Sequence, residues 1–214
     1  MIYYRLLNQA AREQLGGAHS ANILLYALDY GVMIRHYDAG DWAAFKSEVV
    51  KGAKHLKAAG VDALVITSNT THVAAEDAAA ATGLPVIHLM DALTGAMNSA
   101  GATKPLLLGT PVVMGGGFYR DHLAQCYDGD VLVPDANEQA VIGRIILDEL
   151  VNGLVEETSR QEMLDIVAAY DCDGVILGCT ELCMILSQEH FELPVFDTTA
   201  LHAAAASAYA FGEA

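Results

Sequence analysis

Short apolar runs alternate with longer stretches of helical period along this chain, which predicts an α/β fold. The helical stretches are alanine-rich, whereas the strand-like runs are apolar throughout. Strands without alternation are typical of parallel or mostly parallel sheets covered on both faces by helices. The predicted strands are 23–28, 63–66, 86–89, 106–108, 131–133, 175–177 and 195–196. The predicted helices are 3–15, 42–59, 73–81, 92–100, 118–125, 138–151, 159–170 and 201–211.

Capping residues mark several predicted helix ends. Gly16 and Gly60 stand where helices end, and glycine accepts the left-handed conformation that a C-terminal cap needs. Asp41 and Ser159 stand where helices begin, and their side-chain oxygens are suited to cap free N–H groups. We therefore expect helices to begin after Asp41 and Ser159.

Three short matches indicate an internal repeat. Residues 62–70 match 173–181, 84–87 match 193–196, and 3–5 match 118–120, in the same order and at nearly the same offset. Apolar strands shared by unrelated α/β units are the competing explanation. The repeat predicts two pseudo-symmetric, mostly parallel α/β domains, 1–99 plus 198–214 and 100–197, with the site in the cleft between them. The first match aligns Ser68 with Cys179.

The repeat also predicts a gap in the first half. An apolar run and a glycine-rich turn at 105–117 precede residues 118–120, whereas almost nothing precedes residues 3–5. We therefore expect the first half to lack its opening strand, either because the start lies upstream or because the chain is truncated. A strand missing from a sheet leaves backbone groups unpaired.

Composition and charge narrow the class of protein. Apolar residues make up 53% of the chain and charged residues 18%, a balance that favours a folded core over disorder. A formal charge of −16 argues against binding to nucleic acid or to anionic membranes. The chain has neither an apolar run long enough for a bilayer nor a secretory signal pattern, and its four cysteines do not suggest a disulfide framework. We therefore expect a cytoplasmic protein.

Ser68 and Cys179 are the strongest candidates for chemistry. Each follows an apolar strand, and ligands bind beyond the carboxyl ends of strands in open α/β sheets. Inversion of a carbon centre requires proton-transfer groups on its two faces, which two facing halves would supply. A helix starting after Cys179 would lower the pKa of its thiol, although a buried, inert cysteine is the alternative. Ser68 is a weaker base that His72 could assist, and helix capping is its alternative role.

Longer motifs around these residues resemble the aspartate/glutamate racemase family. They are the strings TSNTTH at 67–72, GCTE at 178–181 and PVFDTTALH at 194–202. The resemblance implies racemisation of an amino acid or related carboxylate with no cofactor and no metal. It also implies two pseudo-symmetric α/β domains with the substrate between them, commonly as a homodimer.

The resemblance also implies roles for individual residues. It makes Cys179 the thiol acid or base on one face of the substrate and places Ser68 on the opposite face. It also implies that six further matched residues bind the substrate: Asn69, Thr70, Thr110, Thr180, Glu181 and His202. The first four of these would hold the α-carboxylate and amino groups.

Two alternative functions remain open at this stage. Related one-thiol enzymes isomerise maleate-like diacids or decarboxylate malonates, and a truncated, inactive paralogue would only bind a ligand. A zinc site at Cys172, Cys179 and Cys183 is not expected, because their spacing lacks paired C-x2-C motifs. The scattered histidines are interpreted as surface or packing residues: His19, His36, His55, His88 and His122.

Overall fold

The structure is a computed structural model that describes residues 2–212. The α-helices of this range are α1 (Ile2–Leu15), α2 (Tyr30–Asp38), α3 (Trp42–Ala58), α4 (Ala75–Thr82), α5 (Leu89–Ala100), α6 (Pro111–Gly115), α7 (Gly117–Cys126), α8 (Ala136–Arg144), α9 (Glu157–Ala168) and α10 (Thr198–Phe211). The strands are β1 (Leu64–Val65), β2 (Val86–Ile87), β3 (Leu106–Gly109), β4 (Val175–Gly178) and β5 (Val195–Asp197). Short 3-10 turns cover Thr70–Ala74, Leu150–Asn152, Leu182–Met184 and Gln188–His190, and a π-helical turn covers Ile145–Glu149.

The strands form two parallel sheets, which confirms the predicted α/β class. In the first half β1 pairs with β2, and in the second half the order is β3-β4-β5. Every residue of β3 and β4 is buried, as their continuous apolar sequences predicted. The described part of the first half therefore has one strand fewer than the second.

Helices cover both faces of the second sheet. One face packs against α8 and α9 through a core that includes Leu106, Ile142 and Met163. The other face packs against α5 and α7, with Leu93 and Tyr119 in the same cluster as Ile176. Helix α5 therefore contacts the sheet of the second half, while α10 packs against α1 and α5. The division into 1–99 plus 198–214 and 100–197 stays a prediction.

Several local predictions are corrected by the structure. Residues 23–28 are not a strand, and Leu24 and Leu25 are 51% and 72% exposed. An apolar run forms a strand only where a neighbouring strand takes its hydrogen bonds, and within residues 2–212 this run pairs with none. The predicted strand 131–133 is reduced to a single bridge between Leu106 and Leu132.

Helix caps were predicted with mixed success. Asp41 caps α3 by accepting the Ala44 N–H, and Gly16 and Gly60 have positive φ just beyond α1 and α3. Ser159 does not cap α9, which begins at Glu157; its hydroxyl donates to the Glu149 carboxylate at 2.6 Å instead. Helix α2, capped by Asp29, was not predicted. Among residues 2–212 no helix is both long and apolar enough to cross a membrane.

Candidate active site

Ser68 and Cys179 both lie just beyond the carboxyl end of a strand. Ser68 follows β1, and Cys179 comes directly after Gly178, the last residue of β4. Gly178 pairs with Gly109 of β3, so Thr110 and Cys179 leave neighbouring strands side by side. A Cβ on Gly178 would lie 2.8 Å from the Leu108 carbonyl oxygen, which explains the glycine. The strand ends therefore approach more closely than larger residues would allow.

A contact between two threonines joins the strand ends of the two halves. The hydroxyls of Thr70, after β1, and Thr110, after β3, are 3.3 Å apart. Ser68 is two residues from Thr70, and Cys179 follows the strand next to Thr110. Ser68 and Cys179 are therefore each close to one of the two threonines, Ser68 along the chain and Cys179 on the neighbouring strand.

The thiol of Cys179 is hydrogen-bonded to the carboxylate of Glu181. Its sulfur donates to Glu181 Oε2 at 3.0 Å, and the Thr180 hydroxyl donates to the same oxygen at 2.6 Å. Burial and the negative charge of Glu181 raise the pKa of this thiol well above its usual range. The expectation of a lowered pKa is therefore wrong, since only a short 3-10 turn follows Cys179 and no α-helix begins there.

His72 holds the backbone beside Ser68 but does not activate its hydroxyl. His72 Nδ1 donates to the Ser68 carbonyl oxygen at 2.7 Å, and Nε2 accepts the Leu89 N–H at 3.3 Å. Burial lowers the pKa of His72 to about 3, so the ring is neutral with both nitrogens occupied. The Ser68 hydroxyl accepts the Thr71 N–H at 3.4 Å, which corresponds to the capping role.

Asn69 lies in a buried network that connects the two halves. Its Oδ1 accepts from the Tyr119 hydroxyl and its Nδ2 donates to the Thr198 hydroxyl, both at 3.1 Å. Thr198 in turn donates to the Leu177 carbonyl oxygen at 2.7 Å. An amide nitrogen carries two N–H groups, and the bond to Thr198 uses one of them. Tyr119 and Thr198 were not among the predicted site residues.

His202 is fully buried between elements of the first half. Its Nε2 donates to the Ile87 carbonyl oxygen at 2.7 Å, so Nδ1 accepts from the Tyr3 hydroxyl at 2.9 Å. Burial lowers the pKa of His202 and raises that of Tyr3. Both ring nitrogens of His202 therefore have partners within the protein. The contact of His202 with substrate stays a prediction.

One further cluster of the described residues has the chemistry of metal ligands. It consists of His88 and Asp91, at the start of α5, and His122 on α7. The sequence analysis treated both histidines as surface or packing residues. The spacing His88-x2-Asp91 was the sequence signal for this cluster, because residues three apart on a helix are neighbours on its surface.

Comparisons with known proteins agree on one family. The family model described as Asp/Glu/Hydantoin racemase matches residues 1–206. The broad-specificity amino-acid racemase RacX of Bacillus subtilis is 26% identical over 160 residues, which cover 75% of this chain and 70% of RacX. These matches confirm the resemblance inferred from the sequence motifs.

Solved structures give the same result. A crystal structure of a putative Asp/Glu racemase from Yersinia pestis is 39% identical, with a TM-score of 0.89 over 98% of this chain and 92% of that one. An aspartate racemase homologue from Pyrococcus horikoshii is 27% identical, with a TM-score of 0.80 over 95% of this chain and 89% of that one. Arylmalonate decarboxylase, 16% identical with a TM-score of 0.54, shares the fold alone.

Proposed function

Because this chain belongs to the Asp/Glu/Hydantoin racemase family, we propose that it inverts the α-carbon of an amino acid without a cofactor. The substrate is aspartate- or glutamate-like, or the specificity is broader. Cys179 transfers a proton on one face of the α-carbon and Ser68 on the other. The observation that supports this most is the position of Ser68 and Cys179 beyond corresponding strands, around the Thr70–Thr110 contact.

The environment of Cys179 favours the protonated thiol, which suits its role as an acid. The Ser68 hydroxyl first releases its proton to solvent, and the resulting alkoxide takes the α-proton. Cys179 then gives its proton to the opposite face of the carbanion, and solvent reprotonates the thiolate that remains. In the reverse direction Cys179 must first lose its proton, and Glu181 Oε2 accepts that proton across the existing 3.0 Å hydrogen bond. A hydroxyl and a thiol differ in acidity, so kcat should differ between the two enantiomers, although kcat/KM must be equal because the equilibrium constant of racemisation is one.

Polar groups around the two proton donors hold the substrate. Thr70, Thr110 and Thr180 supply hydroxyls, and the remaining N–H of Asn69 supplies a further donor. These neutral donors suit the α-carboxylate and amino group common to all amino acids. Glu181 and His202 complete the proposed set. The working assembly is proposed to be a cytoplasmic homodimer with a small-molecule substrate, and without nucleic acid or membrane.

Proton exchange with solvent tests this function. In deuterated water the protein should incorporate deuterium at the α-carbon of its substrate, within a panel of L- and D-amino acids. Cys179→Ala should reduce the incorporation by at least about 100-fold, because a general acid or base is lost. The matched control is Cys172→Ala, a half-buried cysteine whose loss should leave the exchange unchanged. Absence of incorporation with the whole panel would contradict the proposal.

The presence of one thiol and one hydroxyl also favours a second candidate. An enzyme that protonates from one face needs only Cys179, as in decarboxylation of a malonate or isomerisation of a maleate-like diacid. Release of CO₂ or cis–trans conversion without racemisation would support this function. Ligand binding in calorimetry, without turnover of any of these substrates, would instead indicate an inactive paralogue.

A further inference from the structure

Two adjacent helices bring nitrogen, oxygen and sulfur ligands together at the surface. His88 caps the N-terminus of α5, Asp91 lies in the first turn of that helix, and His122 lies on α7. One ligand atom from each of these three residues lies within 4.8 Å of the others. His122 Nε2 is 3.7 Å from Asp91 Oδ1. The two imidazole rings are stacked, with centroids 4.3 Å apart and planes 8° from parallel.

Cys126 extends this cluster by one ligand. It follows His122 by four residues on α7, so both side chains lie on one face of the helix. Its sulfur donates to the His122 carbonyl oxygen at 3.2 Å and is a free, exposed thiol.

From this geometry we propose that His88, Asp91, His122 and Cys126 form a binding site for Zn²⁺. Zinc takes four ligands from cysteine sulfur, histidine nitrogen and carboxylate oxygen, and the cluster offers one sulfur, two nitrogens and one carboxylate. Tetrahedral ligands at about 2.0–2.3 Å from the metal lie about 3.4 Å from one another. The separations of up to 4.8 Å among His88, Asp91 and His122 must shorten on binding, and one of the two stacked rings must turn so that both nitrogens face the metal. The Asp91 side chain is exposed, and Cys126 is the last residue of α7.

The local contacts of His88 are compatible with this site. Its Nδ1 accepts the Met90 N–H at 3.3 Å, a long hydrogen bond that the ring gives up when the metal takes its lone pair. The His88 ring also packs edge-on against His72, with centroids 4.9 Å apart. Since His72 binds the Ser68 carbonyl oxygen, the proposed zinc site adjoins the wall of the candidate active site.

Cobalt spectroscopy tests the site independently of the proposed function. Co²⁺ is added to the untagged, reduced and metal-free full chain while the absorption spectrum is recorded. We expect one equivalent to produce the visible bands of a four-coordinate site, together with a thiolate-to-cobalt charge-transfer band, and Zn²⁺ to abolish both. A chain that binds no cobalt, or binds it without the charge-transfer band, would contradict the proposal.

Substitutions then identify the ligands. His88→Asn keeps a residue able to cap α5, and this variant and His122→Asn should each weaken cobalt binding by at least about tenfold. Cys126→Ser should remove the charge-transfer band. The matched controls His19→Asn, on an exposed segment, and Cys172→Ser should change neither signal. Unchanged cobalt binding in both histidine variants, or a charge-transfer band that persists in Cys126→Ser, would overturn the site.

Discussion

Glu181 is the residue whose charge sets the behaviour of the proposed acid. Its carboxylate raises the pKa of Cys179, and removing that charge should therefore lower this pKa. In the direction that needs the thiolate as base, the wild-type rate should be independent of pH through the neutral range, because Glu181 accepts the thiol proton across their hydrogen bond. We predict that the rate of Glu181→Gln rises with pH instead, because its thiol must lose the proton to solvent. The maximum rate should fall by about 100-fold, because the proton acceptor is lost.

The measurement is kcat against pH for each enantiomer separately. Glu189→Gln is the matched control, since Glu189 is an exposed glutamate whose carboxylate accepts a hydrogen bond from Ser187 in the same turn. That variant should retain the wild-type profile. A Glu181→Gln profile as independent of pH as that of the wild type would show that Glu181 does not accept the proton of Cys179.

The identities of the candidate site residues were more predictable from the sequence than their hydrogen-bond partners and pKa values. The alignment of Ser68 with Cys179 came from the repeat, and the structure puts both beyond strand ends. The sequence did not predict that Glu181 raises the pKa of Cys179. It also did not predict that both ring nitrogens of His72 form hydrogen bonds with backbone groups. Those properties depend on burial and on partners that fold in from other segments.

The close pairing of β3 with β4 allows a prediction about an element. A methyl group on Gly178 would approach both the Leu108 carbonyl oxygen and the Leu107 side chain at 2.8 Å. Gly178→Ala should therefore lower the free energy of unfolding by about 1–3 kcal/mol through overpacking. Urea denaturation followed by circular dichroism measures this change.

Helix α5 provides the matched control for that substitution. A Cβ on Gly95 meets no atom within 4 Å, and this glycine is exposed in the helix. Gly95→Ala should raise the free energy of unfolding by about 0.5–1 kcal/mol, since alanine loses less backbone entropy. Equal effects of the two substitutions would mean that the space at Gly178 does not matter.

Strands were predictable where an apolar run also has a neighbouring strand to pair with. The apolar runs of β3 and β4 became buried strands because each has a neighbour to complete its hydrogen bonds. The run 23–28 is also apolar but has no pairing strand among residues 2–212, so it is irregular. Propensity alone does not distinguish these two cases, because the partner lies far away in the sequence.

At the scale of the whole molecule, buried polar groups connect segments that are distant in sequence. Asn69 reaches Thr198 across 129 residues, and Tyr3 reaches His202 across 199. A buried polar group must find a partner or lose free energy on folding, so these links fix how α1 and α10 and the loop after β1 fit together. No local pattern in the sequence predicts such pairs.

The buried histidines of this network make the molecule sensitive to acid. The pKa of His72 is lowered to about 3, whereas an unfolded histidine titrates near 6.5. Its stabilising effect is therefore complete above about pH 6.5 and is lost as the pH falls toward 3, because the unfolded state binds the proton first. His202 acts in the same direction, since burial lowers its pKa as well.

Between pH 6.5 and 5, most carboxylates are still ionised, so the loss in this window comes mainly from such histidines. We predict that His72 alone lowers the free energy of unfolding by about 1–2 kcal/mol across it. Urea denaturation at several pH values measures how steeply the free energy of unfolding changes with pH. This slope should be smaller in His72→Gln, because one buried histidine no longer contributes to it. His19→Gln, on an exposed segment, should keep the wild-type slope. A slope that His72→Gln leaves unchanged would show that this ring is not held neutral in the folded protein.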